Sequence, residues 1–138
     1  MPLSLSSFGR DELADFAEAR RLAAEAEFGP AARLLRRHRK KVAQDPRLTL
    51  VLARAEIALG NDCTAMRLIE TARRRAQTIG DKSSEADAVF TLGGAHLIAQ
   101  RRASAIGAAK RAQLLYTRLN LWSRAQAAAR LRAAAEMA

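Results

Sequence analysis

The sequence predicts an all-α fold assembled from repeated helical hairpins. When the stretch 61–120 is shifted back by forty residues, its apolar positions fall on an equivalent set. The matched residues are Ala105, Ala109, Ala112, Tyr116 and Leu119 on Ala65, Ile69, Ala72, Ala76 and Ile79. Both sets follow the spacing i, i+4, i+7, i+11, i+14 of one helix face. Abundant alanine, an aromatic content of 4%, three prolines and no alternating strand pattern all favour closely packed helices.

The repeat length determines the expected architecture. A helical hairpin of about forty residues cannot bury its apolar face alone, so successive copies must stack into a solenoid. We therefore expect one domain of about seven helices after a flexible N-terminus at residues 1–10. Its parts are three hairpins at about 11–45, 46–80 and 81–120, followed by a capping helix at about 122–138.

The first hairpin has recognisable boundaries. A helix is expected from about residue 11 to residue 27. Asp11 and Glu12 lie in its first turn, where negative charge is favoured by the positive end of the helix dipole. The segment Phe28-Gly29-Pro30 breaks this helix, and its proline is suited to open the second helix, which continues to about residue 44. The Asp45-Pro46 pair then predicts a turn.

Glycine, asparagine and serine residues mark the limits of the later helices. Helices are expected at about 47–59, 64–79, 83–100, 103–119 and from 123 to the end. Asn120 falls on Gly80 in the forty-residue alignment, and both residue types accept the left-handed conformation that ends a helix. Ser123 falls on Ser83, and each is placed to cap the next helix. Trp122 is expected to seal the last hairpin against the capping helix; the alternative is self-association through the C-terminal helix.

Leucines and small residues recur at fixed distances in the hairpins. In the third hairpin Leu92-Gly93 is followed three residues later by His96, and Ala105, Ala109 and Ala112 follow in register. The corresponding residues are Leu52-Ala53, Glu56, Gly60, Ala65, Ile69 and Ala72 in the second hairpin, and Gly29-Pro30, Ala31 and Leu35 in the first. This pattern resembles the tetratricopeptide repeat (TPR) family, in the extended-repeat form found in large bacterial regulators. The resemblance implies a right-handed α-α superhelix.

The resemblance also implies a concave groove, lined by the first helix of each hairpin, that binds extended peptides or helices. The positions carried over to this sequence are Arg47, Leu50, Arg54 and Ile57, then Asp87, Phe90, Gly94 and Leu97, with Arg20 or Arg21 from the first helix. Arg54 and one of the two earlier arginines would form a short positive row. Because a guanidinium can bind a carboxylate through two hydrogen bonds, an acidic protein or peptide segment is the expected partner. The alternative is that these arginines are solvated.

The net charge of +10 and the basic run 36–41 raise a second possibility. On a continuous helix Arg33, Arg36, Arg37 and Lys40 fan across the outer surface, while His38 lies on the apolar stripe. Contact of such residues with phosphates makes a nucleic-acid-binding repeat protein the alternative function. No aromatic residue is interleaved for base stacking, and a solvated helix face explains the run as well.

No residue set suggests catalysis, a cofactor or a bound metal. His38 and His96 have no partner at metal or catalytic spacing, and Cys63 has no nearby histidine to activate it. Glu56 and His96 occupy equivalent repeat positions, which suggests a structural pair. The longest uncharged stretch, 88–100, is too short to cross a bilayer, and a single cysteine fits a reducing compartment. We therefore expect a non-catalytic cytoplasmic module that does not bind membranes.

Overall fold

The computed structural model describes residues 9–138, in which eight α-helices and no strand occur. Of the expected flexible segment 1–10, residues 1–8 lie outside the described residues. Gly9 precedes the first helix, and Arg10 begins it. The helices are α1 (Arg10–Ala24), α2 (Phe28–Arg37), α3 (Arg39–Gln44), α4 (Pro46–Ala58), α5 (Asp62–Ile79), α6 (Lys82–Ile98), α7 (Arg102–Arg118) and α8 (Trp122–Met137). No helix in this part of the chain has the length and apolar character needed to cross a membrane.

The count of eight corrects the expected seven, because the second predicted helix is two helices divided at His38. This residue has φ −115° and ψ 36°, outside the helical region, and its N–H bonds to the carbonyl of Leu35, only three residues back. Its ring nitrogen Nε2 lies 2.7 Å from Asp15 Oδ2 on α1, and its ring meets that of Phe16 edge-on at 5.3 Å. We attribute the break to these contacts, which hold the imidazole against α1.

The hairpins stack in chain order. Helix α1 packs on α2, α4 on α5, α6 on α7, and α7 on α8. Between successive hairpins, α1 contacts α4, α4 contacts α6, and α6 contacts α8. By contrast, α5 and α7, which are described over their whole length, have no pair of Cα atoms within 8 Å. The first helices of the hairpins therefore lie side by side on one face of the domain.

Small side chains on the repeated stripe form the contacts between helices. All ten residues that align at forty-residue spacing are alanine, isoleucine, leucine or tyrosine; eight of them are buried, and Ile79 and Leu119 are partly buried. Ala65, Ala72, Ala105 and Ala112 have no exposed surface at all. Tyr116 is the largest fully buried side chain. The predicted stripe is thus confirmed, and alanine at these positions lets neighbouring helices approach closely.

Helix ends agree with the sequence at the left-handed positions and differ at both predicted serine caps. Ser123 lies inside α8, whose N-cap is Leu121 with no side-chain hydrogen bond. Gly80 and Asn120 both have positive φ, 73° and 59°, as their alignment predicts. Helix α6 begins one residue earlier than expected, and its cap is Asp81 rather than Ser83. The Asp81 carboxylate accepts the backbone N–H of Ser84 at 3.1 Å and the Ser84 hydroxyl at 2.6 Å. A carboxylate reaches these donors better than a serine placed inside the first turn.

Candidate functional site

Two adjoining depressions form a groove on the face that carries the first helices. The first, the α4–α6 depression, has a volume of about 330 Å³ and is lined by Phe28, Arg54, Ile57, Ala58, Phe90, Thr91, Gly94 and Ile98. The second, the α6–α8 depression, has a volume of about 300 Å³ and is lined by Arg54, Asp87, Phe90, Tyr116, Arg124 and Ala127. Arg54 and Phe90 belong to both, so the two depressions form one continuous surface, which we call the groove.

Five of the residues predicted for the groove line it. Arg54, Ile57, Phe90 and Gly94 line the α4–α6 depression, and Asp87 lines the α6–α8 depression. Register along the helices therefore brings these five residues to one surface.

Other predicted groove residues lie elsewhere. Leu50 is only 2% exposed and packs in the core with Ala53 and Ile69 of its own hairpin and Ala88 of α6, so its assignment to the groove is wrong. Leu97 is half-buried and lines neither depression. Arg47 is exposed at the start of α4 and acts electrostatically on Asp81 at the start of α6, beyond the limit of the groove.

The expected positive row is reduced to one member from α4. Arg20 and Arg21 are both exposed and line neither depression. Arg21 forms ion pairs with Glu18 and, at 2.8 Å, with Glu25 on its own helix. Its charge is thus compensated locally, because side chains three and four residues apart are neighbours on a helix surface.

Arg54 differs from the other charged groove residues in forming neither an ion pair nor a side-chain hydrogen bond within the described chain, although its charge acts on the Tyr116 hydroxyl. It is exposed and forms no ion pair or hydrogen bond with any side chain in residues 9–138. Asp87, in contrast, accepts a hydrogen bond from the Tyr116 hydroxyl and lies 3.6 Å from Arg124 of α8. Burial, together with the hydrogen bond to Asp87, raises the pKa of Tyr116, so this phenol stays protonated. Asp87 is therefore committed within the protein, whereas the Arg54 guanidinium is available to a ligand.

The floor of the α4–α6 depression is apolar and open. Phe28, Ile57 and Phe90 are half-buried there, and Ile98 at its end is 64% exposed. A Cβ atom placed on Gly94 would meet no atom within 4 Å, so the space above this helix position is empty. Exposed apolar surface beside an unpaired cation is typical of binding surfaces for other proteins.

The sequence analysis missed the contributions of Phe28, Ile98 and Arg124. The carried-over positions stopped at the fifth predicted helix, although the forty-residue register continues from Arg47 through Asp87 to Ala127 on α8. That register was the available signal for including α8. Phe28 follows a turn, and no helical register reaches it.

A third depression, of about 400 Å³, lies at the break between α2 and α3. Its lining consists of Glu12 and the six consecutive residues Arg36, Arg37, His38, Arg39, Lys40 and Lys41, and we call it the basic cleft. The expectation that this run fans across a continuous helix is wrong, because the break at His38 brings all six residues to one depression. Arg33 is exposed but lies outside it. Arg36 is bound to the buried carboxylate of Glu56 and is not free to contact a phosphate.

The remaining histidine, cysteine and acidic residues of interest are Glu56, His96 and Cys63. Among residues 9–138, no three histidine, cysteine or acidic side chains cluster as metal ligands would. Glu56 accepts hydrogen bonds from Arg36 and from Asn61 at 3.1 Å, and the described residues provide no hydrogen-bond partner for Nδ1 of His96, so the suggested Glu56–His96 pair is not formed. Cys63 is an exposed free thiol.

Trp122 also differs from expectation. Its side chain is 60% exposed at the start of α8 and does not seal the last hairpin. Leu119 and Leu121, which flank it, pack against the core of the α6–α8 region instead. The indole is therefore free for contact with another molecule.

Comparisons with protein-family models, with curated proteins and with solved structures find no significant match. What the chain does must therefore be argued from its own geometry. The groove and the basic cleft are two surfaces where that geometry departs from an ordinary solvated exterior.

Proposed function

We propose that this chain is a non-catalytic protein-interaction module of TPR-like superhelical type, which binds an acidic segment of a partner protein in the groove. The observation that carries the proposal is the position of Arg54. Its unpaired guanidinium lies at the junction of the two depressions, beside an apolar floor that includes Ile57 and Phe90. A segment with one large apolar side chain and a nearby carboxylate satisfies both features together.

The two features contribute in different ways. Burial of apolar surface on Phe28, Phe90 and Ile98 supplies affinity, at roughly 25 cal/mol per Å² removed from water before the entropic costs of association. The Arg54 guanidinium supplies orientation, because it binds a carboxylate through two parallel hydrogen bonds. Arg124 forms an ion pair with Asp87 at the α8 side of the groove, so the Arg54 guanidinium on α4 is the better site for the carboxylate of the partner.

The helix arrangement supports a preformed site. Helices α4, α6 and α8 lie side by side. Helix α4 packs against α5, α6 packs against α7, and α8 packs against α7. A groove that exists before binding does not require ordering of its own backbone, which lowers the free-energy cost of association. The exposed thiol of Cys63 is in keeping with a reducing, cytoplasmic compartment, which we include in the proposal.

Selection from a random peptide library tests this function. Peptides selected on the protein should carry an apolar residue with Asp or Glu a few positions away, and their affinity should be measured by isothermal titration calorimetry. The Gly94→Leu variant fills the open space in the groove and should weaken binding at least about tenfold, equivalent to 1.4 kcal/mol. The matched control is Gly107→Leu on α7, where an added Cβ also meets no atom within 4 Å but the residue lies outside the groove.

A charge-reversal variant tests how much the Arg54 guanidinium contributes to peptide binding. Arg54→Glu should abolish binding of the selected acidic peptides, whereas Arg20→Glu, which changes the same charge outside the groove, should leave it within about twofold. Selected peptides without enriched acidic residues, or equal binding to the Gly94→Leu and Gly107→Leu proteins, would contradict the proposal.

A further inference from the structure

The break at His38 changes what the basic run can do. On a continuous helix, successive side chains point about 100° apart, so six consecutive residues surround the axis. In this structure the backbone leaves the helical conformation at His38, and residues 36–41 all line one depression. The sequence pattern alone would place these charges around a cylinder, and the break concentrates them.

Half of these side chains form the framework of the basic cleft. Arg36 binds the buried Glu56, His38 bonds to Asp15, and Lys41 lies 3.3 Å from Glu12. Glu12 is the single acidic residue in the lining, and its charge is balanced by Lys41.

The other half is uncompensated. Arg37, Arg39 and Lys40 are exposed, and none of them forms an ion pair with any described residue. Three cations from a stretch of four residues therefore face solvent in one cleft of about 400 Å³. Charges of one sign gathered in a cleft attract a polyanion more strongly than the same charges spread over a surface.

Additional contacts hold the short helix that carries two of these cations. The Arg75 side chain on α5 donates a hydrogen bond from Nε to the carbonyl of Gln44, the last residue of α3, at 3.1 Å. The His38 ring is fixed against α1 by its bond to Asp15 and its contact with Phe16. Both ends of α3 are thereby anchored, so the backbone that carries Arg39 and Lys40 is held in place before any ligand arrives.

We propose that the basic cleft binds the phosphate backbone of a nucleic-acid duplex without reading its base sequence. A duplex presents one negative charge per about 1.7 Å of its axis, so several neighbouring cations can be satisfied at once. An extended acidic peptide presents successive carboxylates on opposite faces and fits the cleft less well. The lining contains no Phe, Tyr or Trp, and its one ring, that of His38, is engaged with Asp15 and Phe16, so the cleft lacks a free platform for stacking unpaired bases, which favours a duplex over a single strand.

The test is the salt dependence of binding to a mixed-sequence DNA duplex of about 20 base pairs, measured by filter binding. The slope of log K against log salt concentration, which is negative, should become shallower by about 2 to 3 in the Arg37→Gln, Arg39→Gln, Lys40→Gln triple variant, because each phosphate contact contributes about −0.9. The matched control is the Lys110→Gln, Arg111→Gln, Arg118→Gln triple variant of α7. These three residues are also exposed and without ion pairs in the described chain, and the loss of charge is the same.

Three outcomes would overturn the assignment. Equal losses in both triple variants would show that net charge alone attracts the duplex. An unchanged slope in the cleft variant would show that the cleft does not contact the duplex. Displacement of the duplex by poly-glutamate at equal charge concentration would assign the cleft to carboxylates. Circular dichroism of both variants checks that they remain folded, and Gly94→Leu, which blocks the groove without changing the charge, should bind the duplex as the unmodified protein does.

Discussion

The guanidinium group of Arg36 on α2 donates a hydrogen bond to the carboxylate of Glu56 on α4, which is only 2% exposed. Asn61 donates a second hydrogen bond to the other carboxylate oxygen, at 3.1 Å. Arg36 therefore links the first hairpin to the second through a charge that has been removed from water. Its adjacent residue, Arg37, is exposed and has no such partner.

Removal of Arg36 should destabilise the fold. The Arg36→Ala variant leaves the buried Glu56 carboxylate without its cation, and we expect a loss of about 3 kcal/mol in the free energy of unfolding. Arg37→Ala should change it by less than about 0.5 kcal/mol, since that side chain is solvated. Urea unfolding at neutral pH measures both values. Equal effects of the two substitutions would mean that the Arg36–Glu56 pair adds nothing to stability.

Substitution by alanine of the adjacent glycines of α6, Gly93 and Gly94, should have opposite effects on stability. Gly94→Ala should stabilise the protein by about 0.5 to 1 kcal/mol, because alanine favours the helix and its Cβ meets no atom within 4 Å. At Gly93 the Cβ would lie 3.0 Å from Leu131 Cδ2 and 3.4 Å from the Cβ of Ala108. We expect Gly93→Ala to be less stable than Gly94→Ala by at least about 1 kcal/mol. Thermal unfolding of both, with Gly107→Ala as the control for propensity alone, decides the comparison.

Periodicity made most of the fold predictable. The forty-residue register fixed the buried stripe, and it also brought Arg54, Ile57, Phe90 and Gly94 to one face, because residues at i, i+3 and i+4 share a helix side. Register does not show which neighbour covers a side chain. Leu50 shares this register, yet it is buried in a cluster that includes Ala88 of the next hairpin.

The break at His38 could not be predicted from the sequence either, because it too depends on a contact with a distant part of the chain. No proline or glycine marks it, and the segment 31–44 has acceptable helix formers throughout. Its cause is a tertiary contact with Asp15, a residue 23 positions away. The basic cleft depends on that break, so the one feature that concentrates the charges was invisible to a local pattern. Ion-pair partners such as Glu56 for Arg36 are equally non-local.

The cap of α6 should make stability depend on pH in the acidic range. Burial by itself raises the pKa of the Asp81 carboxyl, but hydrogen bonds from the side chain and backbone of Ser84 and from Ser83 outweigh it and hold the pKa below its usual value. A lowered pKa contributes stability that is complete above the unfolded value of about 3.9 and is lost as pH falls below it.

We therefore expect Asp81→Ala to cost about 2 kcal/mol at pH 7, since it removes a cap and leaves the buried Ser84 hydroxyl without an acceptor. The difference from the unmodified protein should narrow below about pH 4. Asp62→Ala, at an exposed first-turn residue of α5, is the control and should cost less than about 0.5 kcal/mol. A cost at Asp81 that is unchanged between pH 7 and pH 3 would rule out the carboxylate as its source.

Trp122 should report on self-association, because it is the only tryptophan in the chain and is 60% exposed. If single chains predominate, its fluorescence should be readily quenched by acrylamide, and Trp122→Ala should alter stability by less than about 1 kcal/mol. If copies pair through α8, quenching should decrease as protein concentration rises, and sedimentation should show a dimer that the alanine variant lacks. A shielded indole at low concentration would contradict its exposed position.

The buried nitrogen of His96 should weaken the fold as pH falls. Burial, reinforced by the positive charge of Arg101, lowers the pKa of His96, and the described residues provide no hydrogen-bond partner for Nδ1. Below about pH 6.5 the unfolded chain takes up the proton before the folded one, so the free energy of unfolding decreases with falling pH. His96→Phe removes both the unpartnered atom and the titration. We expect the free energy of unfolding of this variant to be higher than that of the unmodified protein by about 1 kcal/mol at pH 8 and by more at pH 5.

The His38→Phe variant is the control and should instead destabilise the protein, because it loses the 2.7 Å bond to Asp15. Urea unfolding at pH 8, 6.5 and 5 tests the point, and a gain at His96 that is identical at all three pH values would show that its ring does not titrate differently on folding.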